Sequence, residues 1–492
     1  MCIVDGVAKL LDLHKLITTQ YKKMLSKPEH TLLLENVFNV FVNRSIMGNA
    51  PVRQVRIKPR DEAIATLITI LDETQLVCQV LMKGTNYIRL KRILQRISQH
   101  GPPNILTRSL LVVNLYFNDL ILGQWPATDF VRGAMHDAGV PSSLTRTPYG
   151  MSFVDRVVKP AYDSLRLLCL NRGRQKECID SVILKDWGLL QQEAKAIDYH
   201  YNEESSLEHQ QNSSMRATTA RFHATNWIIS ETLWLMEGSI SLGIEADLFQ
   251  VEIDAAFWYR DFLVSTQLNI MTAFRNVKEE NTKKVKIMEE EQRRVVKKKK
   301  GKKSNSNFAK QSVNNSIPSA MEREDNVEYV YTSVKRTLCR GIFRFLMVLK
   351  QANFLKSDAA YQFTSRETII NKRFESFRCI DQPALLTYND FMQGSDFSRV
   401  DREHLISAAA ECFDTTKALI DQLSKSLELI QIECAPFDKS EVTVLKKVCI
   451  GNSIFLHKVG ALLKDHKTKV NVEYEFVHKQ FCIIKVAEAT LP

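Results

Sequence analysis

Apolar residues spaced three and four apart recur along most of this chain, and that spacing restricts the backbone to helices that bury one stripe. Trp187, Leu190, Ala194, Ile197 and Tyr201 share one helical face. So do Leu338, Ile342, Phe345 and Leu349, and so do Leu405, Cys412, Leu419, Leu423 and Leu427, because a period of 3.6 residues stacks these positions above one another. Pro59 and Asp61 open a further segment, with Ile64, Leu67, Ile68 and Leu71 on one face and Gly84 as its stop signal. Only 17 glycines and 13 prolines punctuate 492 residues, too few for a turn-rich β architecture. The expected fold class is all-α, an extended multi-helix scaffold long enough for more than one core. No period of 20 to 50 residues repeats along the sequence, so the sequence alone does not indicate a solenoid. The stretch VEYEFVHKQFCIIKV near the end is β-prone and is expected to add one or two short C-terminal strands.

Between Arg221 and Phe274 the polar faces almost vanish. WIISETLWLMEGSISLGI is followed by AAFWYRDFLV, whose Phe257, Trp258, Tyr259 and Phe262 surround the helix axis. Helices of this kind lie in the interior of a large assembly or under a partner. The longest apolar stretch, Trp227 to Ile244, contains Glu231 and Glu237 and is too short for a clean membrane span, so it is expected to be a core helix, with no membrane partner. The opening residues lack the basic-then-apolar order of a signal peptide. Ten cysteines form no C-x-x-C pair and no cluster of zinc-ligand spacing. They are expected to be small buried hydrophobes in a reducing compartment, with a cytoplasmic location and no metal site.

The formal charge of +11 is concentrated rather than spread. Residues 281 to 303 hold eleven Lys and Arg against three Glu, a local +8 that leaves only +3 for the remainder. A nucleic-acid-binding surface over the whole body is therefore not indicated. The expected organisation is a helical body over residues 1–275, a charged extension and disordered basic linker over 276–326, and a C-terminal helical region with short terminal strands over 327–492. Order is expected to end near Lys297 and to resume near Val327. Arg293, Arg294, Lys297, Lys298, Lys299, Lys300, Lys302 and Lys303 form a candidate arm for RNA phosphates, salt-dependent and sequence-blind. A solvated linker or a nuclear import signal is the other reading of the same run. No aromatic residues are interleaved for base stacking. Arg336, Arg340 and Arg344, spaced four apart, form a second basic stripe, which as a type is more often a solvated face or a set of ion pairs to a neighbouring helix than a ligand surface.

No local signature of catalysis is present: the chain has no G-x-S-x-G, no H-E-x-x-H and no P-loop. His478, in EFVHKQF, is expected to be a structurally hydrogen-bonded histidine. Glu279, Glu280 and Glu289 to Glu291 lie on the charged extension, where solvation denies them the raised pKa of an acid catalyst. No catalytic residue is assigned.

A collinear set of motifs resembles the large auxiliary subunit of the NatC N-terminal acetyltransferase complex, the Mak-ten family. TRSLL (107–111) and FVRGAMHDAGVPSSL precede FVDRVVKPAYDSLRLLCLNRGRQK (153–176), with its Lys159-Pro160 pair. DAAFWYRDFL (254–263), KIMEEEQRRVVKKKKGKKS (286–304), RFESFRCIDQPALLTYNDFMQGSD (373–396) and YEFVHKQFCIIKV (474–486) then come in family order. The resemblance covers roughly residues 50 to 490. It implies a non-catalytic helical scaffold that holds a GNAT-fold catalytic subunit and a small Sm-like subunit near the ribosomal exit tunnel. It also implies acetylation of chains beginning Met-Leu, Met-Ile, Met-Phe or Met-Trp, with ribosomal RNA met through the basic run and acetyl-CoA bound by the catalytic partner rather than by this chain. The pyrophosphate loop of GNAT enzymes, R/Q-x-x-G-x-G/A, is absent from the sequence, as a scaffold allows. The family's Asp-Pro-Lys-Met-Asp motif is also absent, and the corresponding expectation is a missing N-terminal region. A nuclear RNA-binding or ribosome-biogenesis factor, using the basic run for import and for RNA, is the alternative.

Overall fold

The computed structural model describes residues 31–33, 57–59, 87–99, 127–170, 172–211, 222–249, 251–299, 320–355, 365–428, 437, 439–465 and 470–488. The helix expected after Asp61 lies outside the described residues, as do Lys300, Lys302 and Lys303. Two short strands, β1 (Thr31–Leu33) and β2 (Ile57–Pro59), pair antiparallel, an element not expected from the sequence. The remainder of the body is helical, as expected: α1 (Tyr87–Gln99), α2 (Ala127–Asp137), α3 (Ser142–Arg146), α4 (Pro148–Cys169), α5 (Arg172–Cys178), α6 (Leu184–Gln211), α7 (His223–Glu245), α8 (Ile253–Lys299), α9 (Ala320–Gln351), α10 (Arg366–Arg373), α11 (Tyr388–Gly394), α12 (Arg402–Leu427) and α13 (Lys439–Lys464). The chain then closes with the expected strands as a single hairpin, β3 (Val470–His478) and β4 (Phe481–Glu488).

Local chemistry sets the helix starts. Thr147 caps α4, its hydroxyl accepting from the Gly150 N–H at 3.1 Å, and Pro148 fills the first position, where no N–H is needed. Asp401 caps α12 through the His404 N–H at 3.3 Å. The start of α7 is capped from another helix: both carboxylate oxygens of the buried Asp198, on α6, accept from the backbone of Ala224 (3.1 Å) and Thr225 (2.8 Å). Between α5 and α6 one π turn, Ile179–Ile183, changes the phase of an otherwise continuous helix.

The long helices form a row of antiparallel neighbours. Residue pairs run in opposite senses from α6 to α7 (Gln191–Thr232, Asp198–Ala224), from α8 to α9 (Asp254–Lys350, Asp261–Arg340) and from α9 to α12 (Thr337–Thr416, Arg344–Ala408). The sequence stripes face inward: Leu338, Ile342, Phe345 and Leu349 are wholly buried, as is Trp187, whose indole meets Trp227 edge-on at 5.9 Å. Around α8, Phe257 stacks on Phe481, Trp258 meets Phe391 at 5.4 Å, and Tyr259 stacks on Phe374 at 4.5 Å. The aromatic residues around its axis thus bind several distant segments of the chain.

The terminal hairpin is built into this body. Val472 pairs with Val486 and Tyr474 with Ile484, with an irregularity between Glu475 and His478. All but three residues of β4 are buried, so its second edge must find partners other than water. Asn452 of α13 supplies them, donating from Nδ2 to the Cys482 carbonyl (2.8 Å) and accepting at Oδ1 from the Ile484 N–H (2.9 Å). One fully buried side chain therefore stands where a third strand would.

Candidate functional site

Two apolar helices, α7 and α8, each carry charges into the core, and their burial decides what those charges must do. Arg260 of α8 is wholly buried, and Glu237 of α7 nearly so. Two donors of Arg260 meet Glu237 Oε1 at 2.7 and 2.6 Å, and Lys335 of α9 approaches its other oxygen at 3.3 Å. Burial pushes the Glu237 carboxyl up, but the Lys335 and Arg260 charges, with the Arg260 and Ser241 bonds, outweigh it and hold the carboxyl at about 2.

The same guanidinium reaches the hairpin turn. Its Nη1 donates to the Gln480 carbonyl at 3.2 Å, its Nη2 to Gln480 Oε1 at 2.8 Å, and its plane lies 4.3 Å from the centre of the Phe481 ring. Gln480 Nε2 then donates to Glu245 Oε1 at 2.9 Å, and Glu245 takes a two-pronged bond from Arg172 of α5 at 2.8 and 2.5 Å. Burial raises the Glu245 carboxyl, but Arg172 brings it below its ordinary value. His478 closes the turn: its Nδ1 accepts from the Gln480 N–H at 3.1 Å, which leaves the ring proton on Nε2, 3.6 Å from Glu441 of α13. The histidine has the structural role expected of it. Beside this hub lies a cavity of about 100 Å³ lined by Arg172, Glu237, Gln267, Tyr331, Lys335 and Gln480, among others.

The hub thus joins α5, α7, α8, α9 and the hairpin through charge-assisted bonds whose donors and acceptors balance, and Tyr331 of α9 extends it to α13 by donating to Glu441 at 2.5 Å. A second buried carboxylate, Asp254 at the start of α8, is held below its usual range because Lys350 of α9 and Arg366 of α10 outweigh the effect of burial. Burial raises the thiol of each of the six described cysteines, so none of these is an activated nucleophile. Among the described cysteines, Cys339, Cys449 and Cys482 are each pushed by burial to about 12. Among the described residues no group of three or more His, Cys, Asp or Glu side chains is placed to hold a metal ion. No described helix is long and apolar enough to cross a membrane. The two glutamates of the longest apolar stretch are both paired, Glu231 with Lys91 (2.6 Å) and Glu237 with Arg260.

The basic residues singled out in the sequence occupy two different settings. Arg293, Arg294, Lys297, Lys298 and Lys299 stand on the last turns of α8, whose helical backbone continues to Lys299. Lys300, Lys302 and Lys303 lie outside the described residues. Arg340 bonds Asp261 of α8 at 3.0 Å, and Arg344 donates to the Ala408 carbonyl (2.9 Å) and to Cys412 Sγ (3.2 Å). Arg336 is half-buried and, with Arg340, lies close enough to Asp261 to oppose the rise that burial imposes on that carboxyl, which still stands above its ordinary value. Sequence reading did not single out Arg260, Gln480, Asp198 or Asn452. The signal for Arg260 was present: a lone cation inside AAFWYRDFLV must meet an anion, and Glu237 lay in the preceding apolar helix.

No curated protein matches the sequence. The fold is similar to a chain of the NatC complex crystallised with Arl3 peptide and CoA, at TM-score 0.63 and 15% identity over 89% of this chain and 61% of that one. It is similar also to the apo NatC complex (0.64, 15%, 91% and 62%) and to the complex with Gag peptide and CoA (0.63, 16%, 89% and 61%). This chain spans about three fifths of the length of those chains. A family model described as NAA35-like, TPR repeats, matches residues 76–484. That description names repeats where the sequence shows no fixed period. The paired helices explain the difference, since their lengths run from 23 to 47 residues and no constant spacing can persist along them. The chain therefore belongs to the NAA35-like family with TPR repeats, the large auxiliary subunits of NatC that its motifs resemble.

Proposed function

We propose that this chain is a non-catalytic scaffold subunit of a NatC N-α-acetyltransferase complex. The observation that carries the reading is the family match over residues 76–484, joined to a helical body similar to that of a NatC chain. On this reading the chain holds a GNAT-fold catalytic subunit, which binds acetyl-CoA, and a small Sm-like subunit. The assembly acetylates nascent chains beginning Met-Leu, Met-Ile, Met-Phe or Met-Trp in the cytoplasm. The cations of residues 293–303 meet ribosomal RNA by charge. The hub suits such a role, because a scaffold must keep many helices in one arrangement while its partners bind, and fully satisfied buried polar networks favour a single packing.

Gentle affinity purification tests the proposal. The chain is expected to bring down an acetyltransferase that modifies a Met-Leu peptide in the presence of acetyl-CoA, while the purified chain alone transfers nothing. Isolation without an acetyl-CoA-dependent partner, or acetyl transfer by the chain alone, overturns it. Nucleolar accumulation of the tagged chain would instead favour an RNA-binding factor of the nucleus.

A further inference from the structure

The outer side of α13 is not built as a solvated face. Its inner stripe, which includes Val442, Leu445, Val448, Leu456 and Val459, is buried against α12, α9 and the hairpin. Half a turn away, Thr443, Lys447, Ile450, Ile454, His457 and Ala461 follow one another at alternating steps of four and three, and all are exposed. Ile450 and Ile454 stand at the middle of this face, 40% and 59% exposed. Isoleucine gains nothing locally from such a position: branched at Cβ, it loses rotamer freedom in a helix and is a weaker helix former than Lys, Gln or Ala. One turn apart, the two side chains make a single apolar strip. Gly460, beside Ala461, leaves room at its far end, since a Cβ built there meets nothing within 4 Å.

The charges beside the strip have one sign. Five lysines and a histidine stand along α13 against a single acid, Glu441, and that acid is turned inward, where it accepts from the Tyr331 hydroxyl at 2.5 Å. Lys446 borders the strip on the α12 side and pairs with Asp421 at 2.8 Å. Lys447 and Lys458 border it on the other side, and among the described residues neither pairs with a carboxylate. A second copy of this chain would bring like charges together across the strip, which disfavours self-association. A helix that lies in a membrane surface carries a broader apolar face, with Trp, Phe or Leu, than two isoleucines and an alanine provide. The pattern fits the third kind of occupant, a helix whose own apolar seam is flanked by acids.

We propose that the outer face of α13 docks an amphipathic helical segment of a partner protein, with apolar side chains that cover Ile450 and Ile454 and carboxylates that meet Lys447 and Lys458. The apolar area is far below what a permanent interface buries, so the partner binds reversibly. The inference stands apart from the acetyltransferase reading, because it rests on the surface of α13 alone.

Two designed helical peptides of equal length serve as probes, each with leucine along its seam, one flanked by Glu and the other by Lys. Both are labelled with fluorescein and titrated against the full chain by anisotropy. The Glu peptide should bind, less tightly as salt rises, and the Lys peptide at least about tenfold more weakly. Ile450→Ser with Ile454→Ser should weaken the Glu peptide by at least about tenfold, the loss expected when two part-exposed isoleucines no longer have apolar area to cover. Lys447→Gln with Lys458→Gln, which leaves the strip intact, should weaken it less and flatten its salt dependence. Leu189→Ser, at a 70% exposed position on α6, should bind as the parent does, and the thermal midpoint checks that each body is intact. Equal binding of the two peptides, undiminished binding by the Ile variant, or no binding of the Glu peptide below about 1 mM overturns the proposal. So does self-association of the parent that the Ile variant abolishes, which assigns the face to a second copy, or binding to phosphatidylserine vesicles that the same variant abolishes, which assigns it to a membrane.

Discussion

Replacing Arg260 by Met tests whether the terminal hairpin is held by charge or by apolar packing. The Met chain can cover Phe481 but removes both bonds to Glu237 and both to Gln480. Truncating one partner of a buried ion pair costs about 3–5 kcal/mol, because the other charge is left without compensation. Lys335 stays 3.3 Å from the second Glu237 oxygen, so the lower end applies, about 3 kcal/mol. At 1.4 kcal/mol per decade, that corresponds to a roughly 150-fold rise in the equilibrium for hairpin opening. Native-state hydrogen exchange reads it at the Ile484 amide, which is bonded to Asn452. Arg260→Lys keeps a charge near Glu237 but loses the planar fork that spans Glu237 and Gln480, and should fall between the parent and the Met variant. Adding Glu237→Gln to Arg260→Met should recover more than about 1 kcal/mol, since the stranded anion is gone. A change of less than threefold at Ile484, or an equal loss of protection throughout α4 and α6, would refute the account.

Three other outcomes are set by the same geometry. Asn452→Leu should leave the Cys482 carbonyl and the Ile484 N–H without partners in the interior and destabilise the hairpin by about 1–3 kcal/mol per group, measured by exchange at Ile484 and by the thermal midpoint. Gly188→Ala would place a Cβ 2.2 Å from the Cys379 carbonyl oxygen; because backbone cannot rotate away, a loss of about 1–3 kcal/mol is expected in denaturant melts. Glu237 has a folded pKa of about 2 against an ordinary 4.5. Its contribution, about 3 kcal/mol at most, is therefore full above pH 4.5 and lost as pH falls towards 2. Glu237→Gln should flatten the stability profile in that window.

Much of the body was legible because helix packing obeys a short-range rule. The stripes from Leu338 to Leu349 and from Trp187 to Ile197 are buried as their spacing requires, and the β-prone terminal stretch forms the two strands its alternation suggests. What could not be read depends on which helices become neighbours. Asp198 caps a helix that begins 25 residues later, and nothing around Asp198 marks it as a cap, because the N–H groups it serves are brought to it by the α6–α7 packing. Asn452 is likewise an ordinary residue of an amphipathic helix until β4 lies beside it.

The charges inside α7 and α8 lie between these cases. Glu231 and Glu237 count in the sequence only against a membrane span, and Arg260 is hidden by its aromatic neighbours. Yet two consecutive apolar helices, each carrying buried charge of opposite sign, have few arrangements in which neither charge is stranded, since an unpaired ion in the interior costs several kcal/mol. That cost makes Glu237 and Arg260 a register mark for the α7–α8 pair. The Arg260 fork, with donors left over for Gln480, extends the mark to a hairpin 220 residues away. The terminal strands are thus part of the same electrostatic arrangement as the central helices, and a change at Arg260 should be felt at β4 before it is felt at α4.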